Sequence, residues 1–284
     1  FIIASLVVTI LLGLLFASSF ASKWELFLKA ANSVSFQTAD PIFNKDISFY
    51  IFSLPVYDFI NGWALTAAIV IAIATGAMYF LNYSARGVGI KFSGNFLVHL
   101  SIIASIIMVI IGLGHWIDRW GLVLSESGLY YGATYTDVNA RKPALAILAF
   151  ISLASAVLMM ANIYKKDLKI IAAGIGLWVI ALLFLTVAWP NAMQRFNVNP
   201  DEFGKEELLL SNNINFTRAA YGLAEPNLIR QSYPVDPVIS AELIEQNIKT
   251  LNNIRLWDDD PLSDVYRQIQ LIRPYYGFKD ADVD

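Results

Sequence analysis

Five stretches of roughly 20 residues, each almost free of charge, constrain this chain more than any other feature, because apolar runs of that length match a hydrocarbon core about 30 Å thick. They cover residues 1–20, 59–83, 96–116, 144–164 and 168–189. Backbone N–H and C=O groups in lipid have no water to bond, so such runs close their hydrogen bonds internally as helices. The alternating pattern of a barrel strand is missing. The expected fold class is mostly α. A polytopic transmembrane helix bundle occupies residues 1–189, and residues 190–284 form the beginning of a larger extracytoplasmic α-rich domain, α or α+β. Composition agrees, with 57% hydrophobic residues, 15% charged and a mean hydropathy of +0.55, far from an ordinary soluble domain. The chain opens inside an apolar run at Phe1 and stops at Asp284 without a terminating pattern, so it reads as an internal piece of a longer protein.

Charge sets the expected orientation, since short cytoplasmic loops carry an excess of Lys and Arg. Arg86 and Lys91 stand without an acid between the second and third runs. Lys165, Lys166 and Lys169 crowd the turn before the fifth, with Asp167 alone against them. Both turns are expected in the cytoplasm of a cell with this protein in its plasma membrane, which places residue 1 inside and everything after Trp189 outside. The last third is acidic, with 9 Lys and Arg against 15 Asp and Glu; nucleic acid is excluded as a partner, because phosphate backbones require clustered bases. Cysteine is absent, so there is no disulfide framework and no thiolate chemistry.

Apart from His115 and Lys169 at the very ends of their runs, His99 is the lone Asp, Glu, Lys, Arg or His within them. It is either a proton relay or, in the plainer reading, a polar group bonding a neighbouring helix. His115, Asp118 and Arg119 form either a small polar cluster or a solvated helix end. Trp63, Trp116, Trp120, Tyr164 and Trp189 are expected as interfacial anchors. Small residues at four-residue spacing, Ala68, Ala72 and Gly76, then Ser101 and Ser105, then Ala172 and Gly176, predict close helix packing.

Outside the runs, Trp24, Phe27, Leu28 and Ala31 predict a short interfacial helix over residues 23–33. Pro190 is expected to end the fifth helix. Three amphipathic helices should follow: one over residues 206–221 capped by Gly222, one starting at the N-cap Ser240, and one capped by Asp260 with Pro261 at its first position. In the last, Leu262, Val265, Tyr266, Ile269 and Ile272 should face inward. Acids invite a metal reading twice. Asp258, Asp259 and Asp260 are explained by helix capping. Asp280, Asp282 and Asp284 alternate like the opening of a calcium loop but lack its Gly and distal Glu, so a solvated acidic stretch is preferred, with these three as the metal candidates. Asn215-Phe216-Thr217 matches a glycosylation sequon. No nucleotide, nucleophile-elbow or zinc motif occurs, so no catalytic residue and no cofactor is assigned.

Several strings occur in order along the chain: DPIFNKDISFY at residues 40–50 with Leu54-Pro55, YYGATYTDVNA at 130–140, Asn213-Ile214 with TRAAY at 217–221, NIRLWD at 253–258, and YRQIQLIR at 266–273 with Tyr275-Tyr276, leading to DVD at 282–284. Together they resemble the UPF0182 family of uncharacterised bacterial integral membrane proteins. The resemblance implies a longer protein with further spans before this segment and an extracytoplasmic region continuing past it. It brings no catalytic residues. Three functions follow as expectations. The first is a non-enzymatic envelope scaffold or assembly factor, with membrane lipids, other copies of itself or envelope proteins as partners. The second is a transporter or channel for a lipid or apolar solute. The third is an extracytoplasmic enzyme, for which Asp258, Asp260 and Asp282 are the acids to test.

Overall fold

The computed structural model describes residues 2–85, 93–126, 130–224, 227–229, 240–254 and 259–269. Helix dominates, and the one piece of β pairing among the described residues is an antiparallel bridge between Ala39 and Asp46. The chain divides into two compact units, Phe1–Asn227 and Leu228–Asp284.

The first unit begins with α1 (Ile2–Ala21) and α2 (Trp24–Ala31). A π turn at Phe49–Ser53 opens α3 (Leu54–Ala85), and α4 follows at Gly94–Gly121. A second π turn, Asp137–Arg141, opens α5 (Lys142–Lys165), and α6 starts at Leu168. Four helical runs are long and apolar enough to cross a membrane: Phe49–Ser84, Gly94–Leu124, Asp137–Lys165 and Leu168–Ala220. The first expected span meets that test only when Leu6–Ala21 is taken together with Trp24–Ala31, from which it is bent by 43°.

Local chemistry explains the ends. Ser93 caps α4 by accepting the Phe96 N–H at 3.3 Å. Between α5 and α6 the chain reverses in two residues. Lys166 takes a left-handed conformation (φ +53°) and donates its N–H to Asn162 O at 2.7 Å, then Asp167 caps α6 by accepting the Lys169 N–H at 2.9 Å. The Asn162 side chain secures this turn, accepting the Asp167 N–H at 2.9 Å and donating to Ser101 Oγ at 3.0 Å.

The core lies where α4 meets α5. Ser101, Ser105, Met108 and Gly112 on one helix face Ala149, Ser152, Ala156 and Met159 on the other, all buried. Ser105 Oγ donates to Ala156 O at 2.9 Å. A Cβ at Gly112 would stand 3.1 Å from Ala149 O, so backbones approach as the small residues predict. On α6 the expectation needs correction. The close residue is Gly174, against Met159, with Ile171 buried beside it; Ala172 is exposed, and a Cβ at Gly176 would meet nothing within 4 Å. At 3.6 residues per turn, residues 171 and 174 share the inner face, and 172 and 176 share the outer one.

Pro190 does not end the helix. The run from α6 continues through a π turn (Phe184–Ala188), α7 (Trp189–Met193), a further π turn (Gln194–Val198) and a 3-10 turn (Asn199–Asp201) into α8 (Glu202–Ala220). The wider π turn just before Pro190 relieves the contact that a proline ring makes with the carbonyl of the preceding turn. The boundary expected at Trp189 is therefore not a break in the chain's helix. α8 starts four residues earlier than predicted, capped by Asp201. It ends as expected on Gly222 (φ +68°), with Leu223 N–H bonding Arg218 O at 2.7 Å and Gly222 N–H bonding Ala219 O at 3.1 Å.

In the second unit, α9 (Ala241–Gln246) is capped by Ser240, which accepts the Leu243 N–H at 3.2 Å; α10 (Ile248–Leu251) and α11 (Asp259–Ile269) follow. The inward stripe expected on α11 is not covered among the described residues: Val265, Tyr266 and Ile269 are all exposed. Ile272 lies outside the described residues.

Candidate functional site

At the end of the bundle where α3 and α5 begin and α4 ends, carboxylates organise the connecting chain. Asp40 is buried and accepts four hydrogen bonds, from the N–H groups of Ile42 (2.8 Å), Phe43 (2.7 Å) and Lys45 (2.9 Å) and from the Tyr50 hydroxyl (2.7 Å). Burial pushes its carboxyl up, but the Tyr50 hydroxyl and the three N–H groups pull harder and leave it below the ordinary value. Asp46 binds the chain before it, accepting from the Ser35 hydroxyl and from the N–H groups of Phe36 (3.1 Å), Gln37 (2.9 Å) and Ser48 (2.8 Å). Bonds from Ser35 and Ser48 hold it well below the usual carboxylate range. Two lysines fasten this loop to the helices. Lys45 lies over Phe49 and Trp120, at 4.6 and 5.2 Å, and Lys142 bonds Ile42 O at 3.2 Å while lying over Phe43.

Asp137 is fully buried at the start of the π turn into α5. It accepts from the N–H and hydroxyl of Thr134, both at 3.0 Å, and pairs with Arg141 Nη1 at 2.7 Å. Glu206 on α8 accepts from the Tyr130 hydroxyl at 2.8 Å and from the Tyr135 N–H at 2.9 and 3.0 Å. Burial first, and then the Glu206 carboxylate, push the Tyr130 phenol well above its ordinary value. Thr136 donates to Gln194 Oε1 at 2.6 Å, and Asn213 donates to Tyr131 O. Residues 130–137 are thus tied to the π turn that opens α5 and to the α7 to α8 run.

Two cavities open here, sharing Tyr130 as a wall. One, of about 660 Å³, is of mixed character, with Thr134, Arg141, Gln194 and Glu206 among its lining beside Phe203 and Leu210. The other, of about 340 Å³, is apolar, with Ile42, Ile47, Ile51, Leu124, Leu209 and Phe216. Both volumes are in the range of ligand sites. Together they offer hydroxyls, amides, a guanidinium and carboxylates beside space for hydrocarbon.

Asp280, Asp282 and Asp284 fall outside the described residues, as does Asp258; Asp259 and Asp260 open α11. Among the described residues no three His, Asp or Glu side chains gather as a metal site. His99 Nδ1 lies 2.9 Å from the Tyr79 hydroxyl across α3 and α4. His115 Nδ1 comes within 3.8 Å of Asp118, while Arg119 lies over the Trp116 ring at 4.2 Å. Trp63 is not at a helix end; its Nε1 donates to Phe16 O at 3.3 Å and joins α3 to α1. The roles of Asp40, Asp137, Tyr130 and Glu206 escaped the sequence reading. Asp40-Pro41 and Thr134 with Asp137 are local capping patterns that point to the first two, but no local pattern ties Tyr130 to Glu206.

By length and composition four helical runs can cross a membrane, which is compatible with a multi-pass membrane protein. The chain belongs to UPF0182, an uncharacterised protein family whose model matches residues 2–284. A UPF0182 protein of Moorella thermoacetica is 39% identical over 276 residues, covering 96% of this chain and 30% of that protein. One from Trichodesmium erythraeum is 35% identical, covering 96% and 30%, and one from Pelotomaculum thermopropionicum is 35% identical, covering 100% and 31%. The chain thus spans about 30% of the length of the relatives it matches. No solved structure matches it.

Proposed function

We propose that this chain is the membrane-anchored base of a non-enzymatic envelope scaffold or assembly factor, with the carboxylate-bound rim on the extracytoplasmic side of the cell membrane. One observation carries the reading. Asp40, Asp46, Asp137 and Glu206, four acids of this rim, direct their oxygens at backbone N–H groups, hydroxyls and an arginine of the rim itself. Such bonds stiffen loops into a platform on which other protein can be built. Sidedness is supported by the turn with Lys165, Lys166 and Lys169, which lies at the opposite ends of α5 and α6 from the rim.

The full-length protein, purified from native membrane in mild detergent, should carry envelope proteins or further copies of itself, seen as a discrete assembly in mass photometry and identified by mass spectrometry. A monodisperse monomer with nothing attached refutes the scaffold. A second reading, movement of a lipid or apolar solute, is favoured by the apolar cavity beside Tyr130. Flux in reconstituted vesicles distinguishes it.

A further inference from the structure

We propose that the mixed cavity, walled by the segment from Tyr130 to Arg141 and by α7 and α8, binds a small organic cation: a primary ammonium group carried on an apolar body. The inference is independent of the scaffold role and of the sidedness proposed above.

Charge is the first support. Glu202 and Glu206 of α8 both line the cavity and stand one turn apart, a spacing at which like charges repel. The helix dipole accounts for Glu202, which lies in the first turn of α8. It does not account for Glu206, a turn further on. Glu206 is part-buried and accepts from uncharged donors, the Tyr130 hydroxyl and the Tyr135 N–H. Among the described residues no Lys, Arg or His forms an ion pair with either glutamate. Arg141 brings a positive charge to the lining, but it is paired with the buried Asp137, and the two charges offset each other. Lys205 lies over the Tyr135 ring at 5.5 Å and is not part of the lining. The cavity is therefore net negative, and a carboxylate partly withdrawn from water is stabilised by a cation beside it.

The walls are the second. Pro190, Phe203 and Leu210 share the lining with the two glutamates, and the rings of Phe203 and Tyr130 add aromatic surface, which attracts ammonium groups as well as hydrocarbon. At about 660 Å³ the cavity has the size of a small-molecule site. A bare metal ion gains nothing from apolar walls, and no three His, Asp or Glu side chains gather among the described residues to hold one. An anion is repelled by the glutamates, and an uncharged hydrocarbon leaves them without a counter-charge. An amine on an apolar body complements both parts of the lining.

The test uses the full-length protein in nanodiscs of phosphatidylcholine, a lipid without net charge, with empty nanodiscs as the blank. The probes are phenethylamine, 2-phenylethanol and phenylacetate, which share a ring and differ in charge. Equilibrium dialysis should show saturable binding of phenethylamine, about tenfold tighter than 2-phenylethanol, a difference of about 1.4 kcal/mol, and no binding of phenylacetate. Glu202→Gln should cut the preference for the amine to about threefold and leave 2-phenylethanol unchanged. Glu207→Gln, exposed on α8 but outside the lining, should change neither. Phe203→Ala should weaken amine and alcohol together. On irradiation, 4-azidophenethylamine should label residues 130–141 or 190–210, and excess phenethylamine should prevent it. The proposal is overturned if 2-phenylethanol or phenylacetate binds as tightly as phenethylamine, if Glu202→Gln and Glu207→Gln act alike, or if the label lies outside those two stretches. Should Glu202→Gln fail to fold, the order of the three probes on the wild type and the position of the label still decide. A bare monomer, which refutes the scaffold, leaves this binding measurable.

Discussion

Asp40 accepts bonds from three backbone N–H groups and from one side chain, Tyr50, which is itself buried. Tyr50→Phe deletes a bond to a charged acceptor and leaves the ring in place, so a loss of about 1.5–3 kcal/mol is expected, read as a lower melting temperature of the detergent-solubilised protein. Acid should act on the same loop. Folded Asp40 and Asp46 both hold their carboxyls below the ordinary value, so they release protons more readily than in the unfolded chain. The stability they add is present above about pH 3.9, the unfolded value, and is lost as pH falls below it. Protease cleavage within residues 35–48 should therefore rise as the pH drops through 4 toward 3, and Asp40→Asn should show that accessibility already at neutral pH; an acid-independent cleavage pattern contradicts the assignment.

At the scale of the element, helix faces decide which glycines matter. A side chain at Gly112 would enter the contact between α4 and α5, 3.1 Å from Ala149 O and 3.2 Å from Ser152 Cβ, whereas at Gly176 it would meet open space. Gly112→Val should cost about 1–3 kcal/mol through overpacking, and Gly176→Val should leave the melting temperature nearly unchanged. Pro190 offers a complementary test. Because π turns already carry the helix past it, Pro190→Ala should leave the circular dichroism at 222 nm within error of wild type, where a helix truly broken at Pro190 would gain signal.

For the whole molecule, the absence of cysteine makes single-cysteine labelling clean. In intact cells Phe203→Cys should react with an impermeant maleimide, and Lys166→Cys should react only after permeabilisation. The reverse pattern would invert the assigned sidedness. The second unit has its own expectation. α11 exposes Val265, Tyr266 and Ile269, and an apolar stripe left in water contributes little stability. Hydrogen exchange in residues 259–269 should therefore be faster than in α5, whose inner face is buried.

Apolar run length and capping chemistry act over a few residues of neighbouring sequence, and these the chain determined by itself. The four long apolar helices, the turn at Lys166 and Asp167, the ends at Ser240 and Gly222, and the UPF0182 resemblance at residues 40–50 and 130–140 were all legible there. Tertiary structure alone decided the rest. Pro190 sits within a continuing helix because of π turns that no local pattern announces, and Gly174 rather than Gly176 meets α5 because of how α6 is rotated. Tyr130 bonds Glu206 across 76 residues. Partners so distant in sequence meet only once the helices have packed, so the two cavities they divide had no signature in the chain.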